Sequence, residues 1–96
     1  MTSLKARDVR SNLVAKGFQE RKGDHVFLHY YLEGHKTDIR TKISLGEKEI
    51  GDGNIAKMSK QIGLSKTDFV KFAECTMSAA EYAQIVRENG KYHIVD

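Results

Sequence analysis

The chain is poor in the residues that make covalent or metal cross-links, and it has no long apolar run. Of its 96 residues one is cysteine, none is proline and none is tryptophan. A single cysteine excludes an intramolecular disulfide framework, and a cysteine-based zinc site would lack partners. Cys75, with Glu74 and Thr76 beside it and no basic activator in sequence, reads as a small partly buried residue in a reducing cytosol, not as a nucleophile. No apolar stretch approaches the ~20 residues that cross a bilayer, so no membrane partner is expected. The opening MTSLKARDVR lacks the apolar core of a signal peptide, and a cytoplasmic location is the expectation. With proline absent, glycine takes over the marking of boundaries.

What is present describes one globular domain over residues 1–96. Hydrophobic content is 40% and charged content 30%, the balance of a folded chain. The net charge of +3 is unevenly spread. Residues 1–65 hold 12 basic and 8 acidic side chains, whereas residues 66–96 hold 4 and 5. The basic excess, a mild sign of a polyanionic partner, thus belongs to the first two thirds.

Periodicity divides the chain into elements. A helix is predicted over about Lys5–Lys16, with Val9, Leu13 and Val14 inward, Ser3 as N-cap and Gly17 as a left-handed C-terminal residue. Phe18–Lys22 reads as a short strand, and Gly23-Asp24 as a turn. HVFLHYYL (His25–Leu32) is the strongest strand, rich in aromatic and β-branched residues. After a hairpin loop at Glu33–Lys36, Thr37–Ser44 alternates, with Thr37, Ile39, Thr41 and Ile43 on one side. Leu45–Gly53 reads as a loop. A helix over about Asn54–Ile62 places Ile55, Met58 and Ile62 on one face, with Asp52 or Asn54 as its N-cap. Ser65 with Asp68 opens a short helix burying Phe69, Val70 and Ala73. Ser78-Ala79-Ala80-Glu81 is a capping box for a last helix, with Tyr82, Ile85 and Val86 inward and Gly90 at its end. Lys91–Asp96 fits either a small extra strand or a packed tail. The sum is an α+β fold: a three-stranded antiparallel sheet with helices on one face, followed by a C-terminal helical extension.

The same alternation sorts the central strand. Val26, Leu28, Tyr30 and Leu32 belong to the helix-covered side. His25, Phe27, His29 and Tyr31 then share the outer face with Arg40 and Lys42. Rings that stack on unpaired bases and cations that hold phosphates are what single-stranded RNA requires. The competing reading is a half-buried face covered by a partner chain or by the C-terminal helices.

In their order, these pieces resemble the HicA-type toxins, small mRNA interferases of toxin–antitoxin pairs. The resemblance runs from Lys5 to about Phe72. It rests on the first helix ending in Lys16-Gly17-Phe18 and on Lys22-Gly23-Asp24-His25, in the place of that family's Gly-Ser-His signature. It continues through Lys48-Glu49-Ile50 and Gly53 to Ile55-Ala56-Lys57-Met58-Ser59-Lys60-Gln61-Ile62-Gly63-Leu64-Ser65, with Phe69 beyond. The resemblance implies a double-stranded-RNA-binding-like α-β-β-β-α core over residues 1–72, cleavage of mRNA and a HicB-type antitoxin as partner. It places His25 at the family's histidine, with Gly23 allowing close backbone approach. Cleavage without a metal or cofactor needs a proton-transfer group, which imidazole supplies, and cations for the extra phosphate charge, for which Arg40 and Lys42 are the candidates. Two features depart from the family. Asp24 stands where a small serine is usual, and would raise the imidazole pKa or repel phosphates. Residues 73–96 form an extension with three roles open to it: completing the core, a homodimer contact or shielding of the sheet.

Other signals weigh less. His25 and His29 are four apart, which on a strand is about 13 Å, too far for one metal ion. Gly51-Asp52-Gly53-Asn54-Ile55-Ala56 fits a dinucleotide pattern but follows a polar segment in a chain too short for that domain. Lys57 and Lys60 share one side of a helix, read first as a solvated face and second as phosphate contacts.

Overall fold

The computed structural model describes residues 3–44, 46–74 and 76–95; the readings of Cys75, of Leu45 and of Asp96 lie outside them. The elements are β1 (Leu4–Lys5), α1 (Ala6–Ala15), β2 (Phe18–Lys22), β3 (His25–Leu32), β4 (His35–Ser44), β5 (Glu49–Ile50), α2 (Asp52–Gln61), α3 (Lys66–Ala73) and α4 (Ala79–Asn89). Strands β2, β3 and β4 make the expected antiparallel meander. The α+β class and the α-β-β-β-α order are those of the sequence pattern.

Burial along β3 alternates strictly, with Val26, Leu28, Tyr30 and Leu32 buried and His25, Phe27, His29 and Tyr31 half-buried. Leu28, Tyr30 and Leu32 of this set belong to one core that draws on every helix and on β5. Its centre is aromatic. Tyr82 of α4 stacks on Phe72 at 4.6 Å, meets Tyr30 edge-on at 4.8 Å and lies 5.8 Å from Phe18. The Tyr82 hydroxyl donates to the Ile62 carbonyl at 2.7 Å, so its polar tip is satisfied inside the core. Burial pushes this phenol's pKa up, as it does less strongly for Tyr30. The extension therefore completes the core on the inner face, while on the outer face its tail reaches Asp38, whose carboxylate lies 3.1 Å from His93 Nδ1.

Helix starts differ from the sequence reading in instructive ways. Ser3 does not cap α1. Leu4–Lys5 instead pair with Glu49–Ile50, and the Ala6 N–H donates to the Lys48 carbonyl at 2.9 Å. A backbone oxygen from a loop thus does the work assigned to a side chain. This two-residue sheet carries no periodic signal, which is why residues 45–53 read as loop alone. The N-cap of α2 is Gly51, not Asp52 or Asn54. Val14 is 43% exposed, because Ala6, Val9 and Leu13 already form the buried stripe and Val14 lies far round the helix from it. The Ser65 cap, the Ser78–Glu81 capping box and left-handed Gly90 are all present.

The β3–β4 hairpin closes in two residues, Glu33 and Gly34, both with positive φ (53° and 83°). This is the primed turn that matches strand twist. The shorter loop extends β4 back to His35. Between His29 and Tyr31 the register shifts, and Thr37 plugs the irregularity: its hydroxyl donates to the Tyr30 carbonyl at 2.8 Å and accepts from the Ile39 N–H at 3.2 Å. The tail resolves as a bridge on the β4 edge. Thr37 opposes Ile94, the Asp38 N–H donates to the His93 carbonyl, and the Val95 N–H donates to the Lys36 carbonyl. No helix among the described residues is long and apolar enough to cross a membrane.

Candidate nucleic-acid interface

The strand register fixes the outer face row by row. Phe27 sits between Arg21 of β2 and Lys42 of β4, and His29 between Gln19 and Arg40. Tyr31 opposes Lys36 at the turn end, and His25 opposes Ser44 at the other. Paired residues of an antiparallel sheet project to one side, so rings run down the middle with cations on both flanks. The rings lie in contact order: His25 meets Phe27 edge-on at 6.2 Å, and Phe27 lies 6.4 Å from His29. His29 records the electrostatics. Partial burial first, then the positive charges of Lys36, Arg40 and Arg21, hold its imidazole below the ordinary pKa. Three cations thus lie close enough to His29 to act on its charge.

Two concavities follow the β4 edge where α2 overhangs it. One, of about 490 Å³, is lined by Phe27, Asp38, Arg40, Thr41, Lys42 and Gln61. The other, of about 200 Å³, is lined by His25, Lys42, Ser44, Glu47, Asn54, Lys57, Met58 and Gln61. Lys42 and Gln61 border both, so the two adjoin. Gln61 is held there by the Thr41 hydroxyl, which donates to its Oε1 at 2.7 Å.

His25 occupies the smaller cleft half-buried, its Nδ1 enclosed and without a hydrogen-bond partner among the described residues. Asp24 lies in the exposed turn, and no ion pair among the described residues joins it to His25. Gly23 shares that turn; a Cβ there would meet only the Phe27 ring at 3.9 Å, an ordinary contact, so packing leaves room for a side chain.

The structure brings His25, Lys42 and Lys57 into one cleft, and Phe27 and Arg40 into its neighbour. Tyr31, six residues from His25 along the strand, stands about 20 Å away on the same face. Lys60 goes elsewhere. It borders a depression of about 290 Å³ with Ile39, Gly63, Val86 and Tyr92, so the two α2 lysines serve different surfaces. Sequence reasoning missed Arg21, Ser44, Glu47, Asn54 and Gln61. Arg21 was findable by carrying period-two alternation into β2. Glu47 was not, because it sits in an irregular loop. Among the described residues no cluster of three histidine, cysteine, aspartate or glutamate side chains is arranged to hold a metal ion.

Comparison with protein-family models, curated proteins and solved structures finds no match to this chain.

Proposed function

We propose that the chain is an RNA-cleaving toxin of the HicA type, acting on mRNA without a metal, with His25 as proton-transfer group. The observation that carries this reading is the cleft at the end of the ring-and-cation face, where His25 shares about 200 Å³ with Lys42 and Lys57. Single-stranded RNA lies along β3, its bases on Phe27, His29 and Tyr31 and its phosphates against Arg21, Arg40 and Lys42. At the cleft a 2′-hydroxyl attacks the adjacent phosphate, and His25 moves a proton at the attacking or the leaving oxygen. Lys42 and Lys57 stabilise the charge that builds on the phosphate. A HicB-type antitoxin restrains the toxin by covering this face.

The test is cleavage of single-stranded mRNA by purified protein in the presence of a chelator. Wild type should degrade it, and His25→Ala should not. Equal cleavage by the two proteins overturns the assignment. The second reading, a non-catalytic RNA-binding module, is favoured by the length of the cationic face, which continues past His25 to Tyr31 and Lys36. Harmless expression, together with RNA binding that weakens steeply with salt, would select it.

A further inference from the structure

Cleavage of an RNA phosphodiester moves two protons: one leaves the attacking 2′-hydroxyl and one reaches the departing 5′-oxygen. His25 accounts for one of these. The register points to the other. His25 is the first residue of β3 and lies directly opposite Ser44, the last residue of β4. The Ser44 N–H donates to Glu47 Oε2 at 3.3 Å. Asn54, in the first turn of α2, donates to the other carboxylate oxygen at 3.2 Å. The half-buried Glu47 side chain is thus folded back over the strand end and held from two sides, on the wall of the cleft that contains His25.

We propose that Glu47 is the second proton-transfer group of this cleft, acting as general base opposite His25. This rests on the reading of the cleft as an RNA-cleaving site. The Glu47 carboxylate accepts the proton of the 2′-hydroxyl as that oxygen bonds to phosphorus. The phosphorus–5′-oxygen bond breaks, its electron pair stays on oxygen, and the His25 imidazolium supplies the proton. The products are a 2′,3′-cyclic phosphate and a free 5′-hydroxyl, and solvent returns both side chains to their starting forms. Lys42 and Lys57 flank the phosphate and keep the carboxylate from repelling it. Glu47 also borders a second concavity, of about 390 Å³, whose lining carries Lys5, Arg7, Arg10 and Lys48 together with Glu49.

The charged groups facing Glu47 are therefore His25 from β3, Lys42 from β4 and Lys57 from α2, with the four cations and Glu49 behind it. With this set, cleavage should show a bell-shaped pH profile. Its acid limb reports protonation of Glu47, and its alkaline limb loss of the His25 proton.

The experiment measures kcat/KM across pH on a short single-stranded RNA for wild type, Glu47→Gln, Glu47→Asp and His25→Ala, with thermal unfolding as the check on folding. Glu47→Gln should lose about 100-fold to 10,000-fold in activity together with its acid limb. Glu47→Asp, which keeps the carboxylate but withdraws it by one methylene, should keep the acid limb with a reduced kcat. Glu47→Gln with near wild-type activity, or with reduced activity and the acid limb intact, overturns the proposal, since a loop strut alone gives the second pattern. If Glu47→Gln does not fold, an unchanged kcat in Glu47→Asp overturns it. A silent His25→Ala beside active Glu47 variants removes Glu47 alone. An active His25→Ala, or no cleavage by wild type, removes the site reading and Glu47 with it.

Discussion

The two faces of β3 use the same alphabet to opposite ends. On the inner face Tyr30 finds Phe18 and Tyr82 within 4.8–5.1 Å, and its neighbours Val26, Leu28 and Leu32 are buried. On the outer face Phe27 lies beside the imidazoles of His25 and His29 and is flanked by Arg21 and Lys42. Inside, rings meet rings and stabilise the fold. Outside, rings meet cations and stay half-open, an arrangement that adds little to folding and suits a polyanion with stackable bases. The difference teaches that the strand's hydrophobicity does not say which side is structural; the residues opposite each ring do.

The comparison breaks most readily at Tyr82. Tyr82→Ala removes the ring that joins Phe18, Tyr30 and Phe72, and truncation of a buried aromatic costs about 3–5 kcal/mol. In a chain of this length that is much of the total stability, so chemical denaturation should show a collapse of the folded state. If the variant unfolds at the same denaturant concentration as wild type, the extension is not part of the core. On the outer face, Phe27→Ala should do the reverse. Stability should change by less than about 1 kcal/mol, while affinity for single-stranded RNA should fall by about 1–3 kcal/mol, the worth of one stacking platform. Equal RNA affinity in wild type and variant would show that the outer rings do not hold bases.

These variants also mark how far the sequence could be read. Period two in HVFLHYYL separated the faces without error, and the capping box at Ser78 located α4 to the residue. Both are local signals, set by covalent geometry and by one side chain's hydrogen bond. What the sequence hid is long-range. Nothing local told that Tyr82 would fill the space under Phe18, or that Lys48 would close the start of α1 across some forty residues. The site divides the same way. His25, Lys42 and Arg40 follow from alternation, whereas Glu47 and Asn54 become neighbours of His25 only when an irregular loop folds back. Lys57 and Lys60, on one side of a helical wheel, border different concavities.

A smaller effect sharpens the geometry of the hairpin that carries both faces. Glu33 holds φ 53° in the primed turn, a region that costs an ordinary residue roughly 1 kcal/mol and suits asparagine or glycine. Its carboxylate accepts a hydrogen bond from Arg87 on the surface, a contact worth little there. Glu33→Asn should therefore raise the unfolding free energy by up to about 1 kcal/mol in denaturant titration. A net loss would mean that the Arg87 contact outweighs the backbone strain.

The smallest expected effect tests the charge of the outer face directly. His29 has a lowered pKa in the folded chain, from burial first and then from Lys36, Arg40 and Arg21. A histidine lowered on folding contributes stability that is present above its unfolded value, about 6.5, and is lost as pH falls below it toward the folded value. Phosphates placed among those cations reverse the imbalance and favour the imidazolium, so RNA binding takes up a proton. Affinity should then rise as pH falls through this window, by less than about fivefold, because an exposed charge pair is worth under about 1 kcal/mol. The measurement compares His25→Ala with the double variant His25→Ala/His29→Gln. Both lack the His25 imidazole, whose loss under the proposed function also leaves the probe uncut, so the difference between their binding curves belongs to His29. Parallel pH dependence in the two would mean that RNA phosphates do not lie near Arg21, Lys36 and Arg40, and the outer face would lose its assignment as the path of the chain.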